Sequence, residues 1–309
     1  MIGTVSVTMK NFCGTRKVVG VSVPLTIFLW ALLSGGTGVL ATAQDGNSGL
    51  VRNETEHGWV DWTNGVIRAR GLGVPPDNAV NATHAHEMAK RAGRVVAYRN
   101  LLEIVEGIHV DSHTLVKNYM VESDTINTQV KGIVHGARVT EEKSFPDGSY
   151  LVTVEMKIEG GLQQTVVPAS KEPPVSPFAQ KAATIEELQE VNGGAVLVYT
   201  GLVVDAQGLG VQQTMTPKLL MEDGRVVYGP EWVDPQTNPR PTVVGYVKGI
   251  PNAKSHERVI TAPLVVKALR VSQDNPSDLI ISDADAQTLH LVPDHVAFLK
   301  KAKVLVVLD

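Results

Sequence analysis

The sequence predicts an α+β protein of two small domains, the first a long helix packed on an antiparallel sheet and the second β-rich with short helices. Three observations carry that expectation. The stretch from Asp77 to Ile108 holds the longest unbroken helical pattern in the chain, with no interior proline. Residues 129–142 and 149–159 read as strands joined across Pro146-Asp147-Gly148, where proline presets φ and glycine accepts a positive one. A proline-bearing stretch of small and polar residues at 163–183 then separates this region from a second series of strand patterns.

Composition sets the frame. The chain has 309 residues, 43% of them hydrophobic and 5% aromatic, enough apolar material for a real core and a length that suits about two domains. Residues 1–43 read as a signal peptide. Lys10, Arg16 and Lys17 precede an uncharged run, and Ala41-Thr42-Ala43 offers the small-x-small pattern that places cleavage between Ala43 and Gln44. The rival reading is an uncleaved anchor, since the run is long enough to span a bilayer. The segment holds three basic residues and no acidic one, so its removal takes the formal charge from −4 to −7. A nucleic-acid partner is therefore not expected. The one cysteine, Cys13, lies before the apolar run, the wrong place for a lipoprotein acceptor, and cleavage would leave a chain without thiols. No later apolar run is long enough to cross a membrane.

Residues 44–57 are polar and predict a flexible arm. A first domain is expected over 58–162. It opens with a short strand at Val66, Ile67 and Ala69 that ends at Gly71-Leu72-Gly73. The helix follows, capped by Asp77 or Asn78 and stopped by Gly107. On a helical wheel Ala82, Ala85, Met88, Ala89, Ala92, Val95 and Val96 form the arc expected to lie on a sheet, with His84, Glu87, Lys90, Arg91 and Arg94 opposite. Residues 110–124 predict a short helix or an irregular connection. Along the second hairpin strand Val152, Val154, Met156 and Ile158 share one face.

After the linker, a C-terminal domain is expected over 184–309. Thr184-Ile185-Glu186-Glu187 is a capping box that predicts a short helix to Val191. The run from Ala195 to Ala206 has the continuous apolar character of a buried central strand. Glu222-Asp223-Gly224 signals another hairpin, further strands are expected at 243–247, 264–271 and 279–282, a helix from Pro293 to Lys301, and a final buried strand at 304–308. One internal echo stands out: Val66 to Val74 aligns without gaps on Val203 to Val211, and both contain Gly-Leu-Gly. It reads either as a chance recurrence or as one supersecondary device used twice.

Candidate chemistry is sparse. His84 and His86 sit two apart on a helix, roughly 200° around its axis, and cannot share one ion. His109, Asp111 and His113 would converge only in an extended segment. The two Gly-Leu-Gly turns lack the full dinucleotide spacing. Asp283 and Asp285 follow a strand on a segment read as a loop, a place where two carboxylates can hold a divalent cation or cap turns. They are weak metal candidates, and otherwise no metal, cofactor or catalytic residue is expected. Trp59 and Trp62 flank the entry to the first strand in an aromatic-poor chain and suit core or interface packing.

The helix ending AYRNLLEIVEGIHVDSHT, the segment ESDTINTQVKGIVHGARV and the hairpin FPDGSYLVTVEM together resemble the small outer-membrane lipoprotein (LPP-twenty-like) family, and are similar to domains of the flagellar accessory proteins FlgP and FlgT. The resemblance covers the first domain. It implies a Gram-negative envelope protein, several relatives of which support ring-like assemblies at the flagellar motor, with no catalytic residues to carry over. The chain departs from that pattern in having no lipoprotein cysteine at its cleavage site. The leading expectation is therefore a non-enzymatic exported protein, periplasmic or associated with the outer membrane. It would act through contacts with envelope proteins or with its own copies, using Lys90, Arg91, Arg94, Trp59 and Trp62. The alternative is a periplasmic small-ligand or metal-binding protein, or a hydrolase, using Asp283 and Asp285.

Overall fold

The computed structural model describes residues 49–167, 178, 198–234, 242–259, 261–290 and 293–309. The signal segment with its Ala43–Gln44 cleavage site, most of the proline-rich linker and the helix expected at 184–191 lie outside the described residues.

The fold is α+β. The first half is a five-stranded antiparallel sheet in the order β1 (Arg52–Thr55), β2 (Gly58–Asp61), β3 (Val66–Gly73), β5 (Tyr150–Lys157), β4 (Arg138–Ser144). Its core face is the alternating set the sequence marks, with Ile67, Ala69, Val152, Val154, Met156 and Ile158 all buried. At the Pro146-Asp147-Gly148 turn Gly148 takes φ +81, and the Asp147 carboxylate accepts from the amide and hydroxyl of Ser149. Strand β1 falls within the segment expected to be a flexible arm. It is ordered because β2 pairs with it along its whole length and Val51 beneath it is buried.

Helix α1 (Ala82–Glu106) lies across β3 and β5, and the sheet partner and the stop at Gly107 are as expected, but its start and its buried face need correction. Asn81 caps it, accepting from the His84 amide at 2.8 Å, in place of Asp77 or Asn78. The buried residues are Ala89, Gly93, Ala97, Asn100, Leu101, Ile104 and Val105, while Met88 and Val95 are exposed. The arc is rotated because hydropathy ranks methionine and valine above glycine, whereas close backbone contact ranks glycine first. Gly93 faces the sheet at the point where Gly71 and Gly73 carry no side chain.

Helices α2 (Val116–Glu122) and α3 (Asp124–His135) follow, and then a short helix α4 (Gly161–Val166) leaves the sheet. The strand expected at 129–142 is helix as far as His135. Its valines and isoleucine suit a strand locally, but Ile126, Val130, Ile133, Val134 and Ala137 recur at helical spacing, with Ser123 capping the start and Gly136 the end.

The second half holds a four-stranded parallel sheet, β10 (Pro263–Lys267), β6 (Gly201–Asp205), β13 (Val304–Leu308), β9 (Gly245–Lys248). Strands β6 and β13 are central and covered on both faces, which is why they read as continuous apolar runs. A smaller mixed sheet runs β11 (Arg270–Val271), β12 (Leu279–Ile280), β7 (Leu219–Leu220), β8 (Val226–Tyr228), with helices α5 (Ile250–Ser255), α6 (Asp283–His290) and α7 (Pro293–Lys300) packed around both.

The Gly-Leu-Gly echo has no structural counterpart. Gly71 and Gly73 lie inside β3 with ordinary φ, while Gly208 and Gly210 have φ +76 and +63 in a turn beyond β6. The first pair serves close packing and the second left-handed backbone, so the recurrence is chance.

One buried cluster of apolar side chains runs through both halves. Trp62 meets Tyr246 edge-on at 5.7 Å, and the Thr63 hydroxyl donates to the Tyr246 carbonyl at 2.7 Å. The amides of Met215 and Thr216 donate to the carbonyls of His109 and Val110. Arg258, nearly buried, donates to Glu159, to the Thr242 hydroxyl and to the carbonyls of Thr242 and Ala302, clamping the end of the first half to the second.

Candidate functional site

Helix α1 covers β3 and β5 and only its C-terminal turns reach β2, so a cleft of about 370 Å³ forms between the β1–β2 hairpin and that end of the helix. Its floor is apolar: Val60, Trp62, Ile104 and Ile108. Asn100 and His109 add polar groups, and Glu56, His57 and Glu103 stand at the exposed rim, with Gln213 of the second half closing one side. Asn100 is buried on the core face of α1 and donates to the Arg70 carbonyl at 2.7 Å, leaving its amide oxygen as an acceptor. The indole N–H of Trp62 and Nδ1 of His109 are buried with no hydrogen-bond partner. A buried donor without a partner costs about 1–3 kcal/mol. Both residues line the same hollow.

A smaller hollow of about 210 Å³ adjoins it beyond the Asn53–Gln213 hydrogen bond, at the carboxyl ends of β6, β9 and β13. Arg52 and Lys248 line it, and the Gly208 amide in the left-handed turn donates to both oxygens of the Asp309 carboxylate.

The sheet face turned away from α1 carries a different feature. Register places Trp59 beside Arg68, and the guanidinium groups of Arg52, Arg68 and Arg70 stack at 5.0, 5.7 and 4.6 Å from its ring centroid. Trp59 is thereby buried although it lies on an outer face. Arg68 is held by Glu155 at 2.6 Å, which Arg138 also approaches at 3.3 Å. Arg70 is exposed and has no carboxylate within ion-pair distance among the described residues.

The residues singled out in the sequence fall into separate places. Lys90 and Arg94 both close on Glu142 of β4, at 2.9 and 2.6 Å, so they fasten α1 to the edge strand. Their hydrogen bonds hold the Glu142 carboxyl below the usual glutamate range and raise Lys90 and Arg94. Arg91 stands free of that cluster and exposed. Trp59 anchors the arginine cluster and Trp62 the seam between the halves. Asp283 and Asp285, expected on a loop, lie in the first turn of α6. There the Ser282 hydroxyl donates to Asp285 at 2.7 Å and accepts from its amide, a local cap. His86 packs edge-on to Tyr150, while His84 accepts from the Val80 amide. Asp111 holds a turn through the amides of His113 and Thr114, and the His113 ring bonds to the Asp274 carbonyl, so only His109 of that trio reaches the cleft. Among the described residues no group of three or more His, Cys, Asp or Glu is arranged to hold a metal ion.

Sequence reading missed the cleft itself. Asn100 at a core position of α1 was a usable signal, because a buried amide in a helix demands a partner. The orphaned nitrogens of Trp62 and His109 depend on tertiary placement and have no sequence signature.

The fold and cleft define a mixed α+β protein in which an antiparallel half and a parallel half share one core and a hollow at their border. Residues 201–309, from the start of β6 through β13, match a family described as Treponema pallidum Tp0624, second domain, and the chain is similar to that domain there. No curated protein matches the chain. The match does not reach residues 77–159 and lends no support to the lipoprotein-domain resemblance expected there. No helix among the described residues is long and apolar enough to cross a membrane.

Proposed function

We propose that this is an exported, non-enzymatic protein of the cell envelope, periplasmic or outer-membrane-associated, that works by protein–protein contact with another envelope protein or a second copy of itself. The observation that supports this most is the Trp59 cluster. An indole with three stacked guanidinium groups on an open sheet face is the residue chemistry of interface centres, where tryptophan and arginine contribute most of the energy. Arg70 supplies an unpaired charge that favours a partner presenting carboxylates. The export pattern at residues 1–43 and the likeness to the lipoprotein domain and to FlgP and FlgT motivate the setting, a flagellar or outer-membrane-associated assembly.

The test is light scattering after size exclusion, together with cross-linking in envelope extracts, for the wild type and for Arg70→Glu. A defined oligomer or cross-linked envelope partner that Arg70→Glu abolishes supports the reading. A monomer without any envelope partner overturns it. The alternative built on Asp283 and Asp285 has less support, since Asp285 is committed to Ser282. A ligand reading is better served by the cleft.

A further inference from the structure

We infer that the cleft between the β1–β2 hairpin and the C-terminal end of α1 is a binding site for a small aromatic amine that carries a hydroxyl group. The inference is independent of the contact surface on the opposite face of the sheet. Three properties of the cleft select this chemistry.

The first is charge. The rim carries the carboxylates of Glu56 and Glu103, and neither lysine nor arginine lines the hollow. Glu103 has no ion pair among the described residues, and Glu56 approaches only its neighbour His57, at 3.8 Å. An ammonium group fits this rim, and a carboxylate or phosphate is repelled by it.

The second is the floor. Val60, Ile104, Ile108 and the ring of Trp62 offer an apolar surface in a hollow of about 370 Å³, room for one aromatic ring with a short side chain.

The third is the Asn100 amide. Its N–H donates to the Arg70 carbonyl at 2.7 Å, and its oxygen is left to accept in the lining of the hollow. A ligand hydroxyl meets that demand by donating to it. The Trp62 indole N–H and His109 Nδ1 are without partners but closed off from the hollow, so those two residues contribute ring surface to it.

Tyramine is the probe, with phenethylamine, which lacks the hydroxyl, and 4-hydroxyphenylacetate, which replaces the ammonium by a carboxylate, as comparisons. Titration calorimetry on the full chain should show tyramine binding more tightly than phenethylamine and 4-hydroxyphenylacetate not binding. Glu103→Gln, an exposed change on α1, should weaken tyramine about five- to tenfold through loss of a close opposite charge, with an unchanged unfolding midpoint. Asn100→Leu should remove the preference for tyramine over phenethylamine. Should Asn100→Leu fail to fold, Glu103→Gln carries the decision alone. No heat from tyramine at millimolar concentration, equal binding of the carboxylate analogue, or undiminished binding by Glu103→Gln overturns the assignment. None of these outcomes bears on the Arg70→Glu experiment, so the two readings fail separately.

Discussion

Gly71 of β3 and Ala97 of α1 meet backbone to backbone: a Cβ added at Gly71 would overlap the Ala97 amide nitrogen and the Gly93 carbonyl oxygen. Gly73 repeats the contact one step along, against Ala89 and Gly93. Neither Gly71 nor Gly73 has a positive φ, so space and not backbone freedom fixes them. The long helix therefore lies in a groove without side chains, and its distance from the sheet is set by these three glycines.

Gly71→Ala should accordingly lower stability by about 3 kcal/mol, the upper range for overpacking a rigid contact, because both neighbours are backbone and neither can swing away. Gly132, in the interior of α3 with nothing within reach of an added Cβ, is the control. Gly132→Ala should stabilise by roughly 0.5–1 kcal/mol, as alanine restricts the unfolded chain and favours helix. Urea unfolding midpoints of the two variants should move in opposite directions.

The basic face of α1 gives a second test. Lys90 and Arg94 share Glu142, whereas Arg91 has no part in that cluster. Lys90→Glu places a carboxylate against Glu142 and should lower the unfolding midpoint, while Arg91→Glu should leave it in place, and only Arg91 is a clean probe of surface contact. The Glu142 carboxyl sits below its ordinary value in the folded chain, held there by Lys90 and Arg94. Its contribution is thus present above the unfolded value, about pH 4.3, and is lost as pH falls through the lower folded value. Glu142→Gln should flatten the acid limb of the stability profile in that window, measured by thermal melts from pH 6 to pH 3.

Arg258 leads to a third. The residue is 8% exposed, and its guanidinium serves Glu159, Thr242 and Ala302 together. Arg258→Met keeps the aliphatic bulk and strands two carbonyl oxygens and a partly buried carboxylate, which should cost about 2 kcal/mol or more. Glu159 lies in the first half and Thr242 and Ala302 in the second, so the loss should reach both. Fluorescence and far-ultraviolet dichroism should shift together to the lower midpoint. A shift confined to one probe would mean that the clamp is local.

What the sequence made legible follows from range. The hairpin at Pro146-Asp147-Gly148, the stop at Gly107 and the buried strand Val304 to Leu308 are set by neighbours a few residues apart, and each stands where local chemistry puts it. The face of α1 was misplaced because Gly93 reveals its role only when Gly71 and Gly73 come beneath it. Residues 129–135 were misread because β-branched side chains outweighed helical spacing. Asp283 reads as a loop residue because its place in a helix depends on the Ser282 hydroxyl, which caps the first turn through Asp285. The cleft was the least legible of all, since Trp62, Asn100 and His109 come from three segments and their unmet hydrogen bonds are a property of the assembled fold.

A last prediction concerns His290 at the end of α6. It is buried beside Trp232 at 4.9 Å, its Nε2 bonds the Val227 carbonyl at 3.1 Å, and burial holds its imidazolium form below the ordinary histidine range. Above about pH 6.5 the ring is neutral in both folded and unfolded chains and stability does not depend on it. As pH falls from there the unfolded chain takes up the proton first, so stability drops until the folded value is passed. His290→Gln, which keeps a donor for the Val227 carbonyl and cannot be protonated, should be less stable at pH 8 through lost packing on Trp232. Its stability should also fall less between pH 7 and pH 5 than that of the wild type. Parallel slopes over that interval would show that His290 is not the group that titrates.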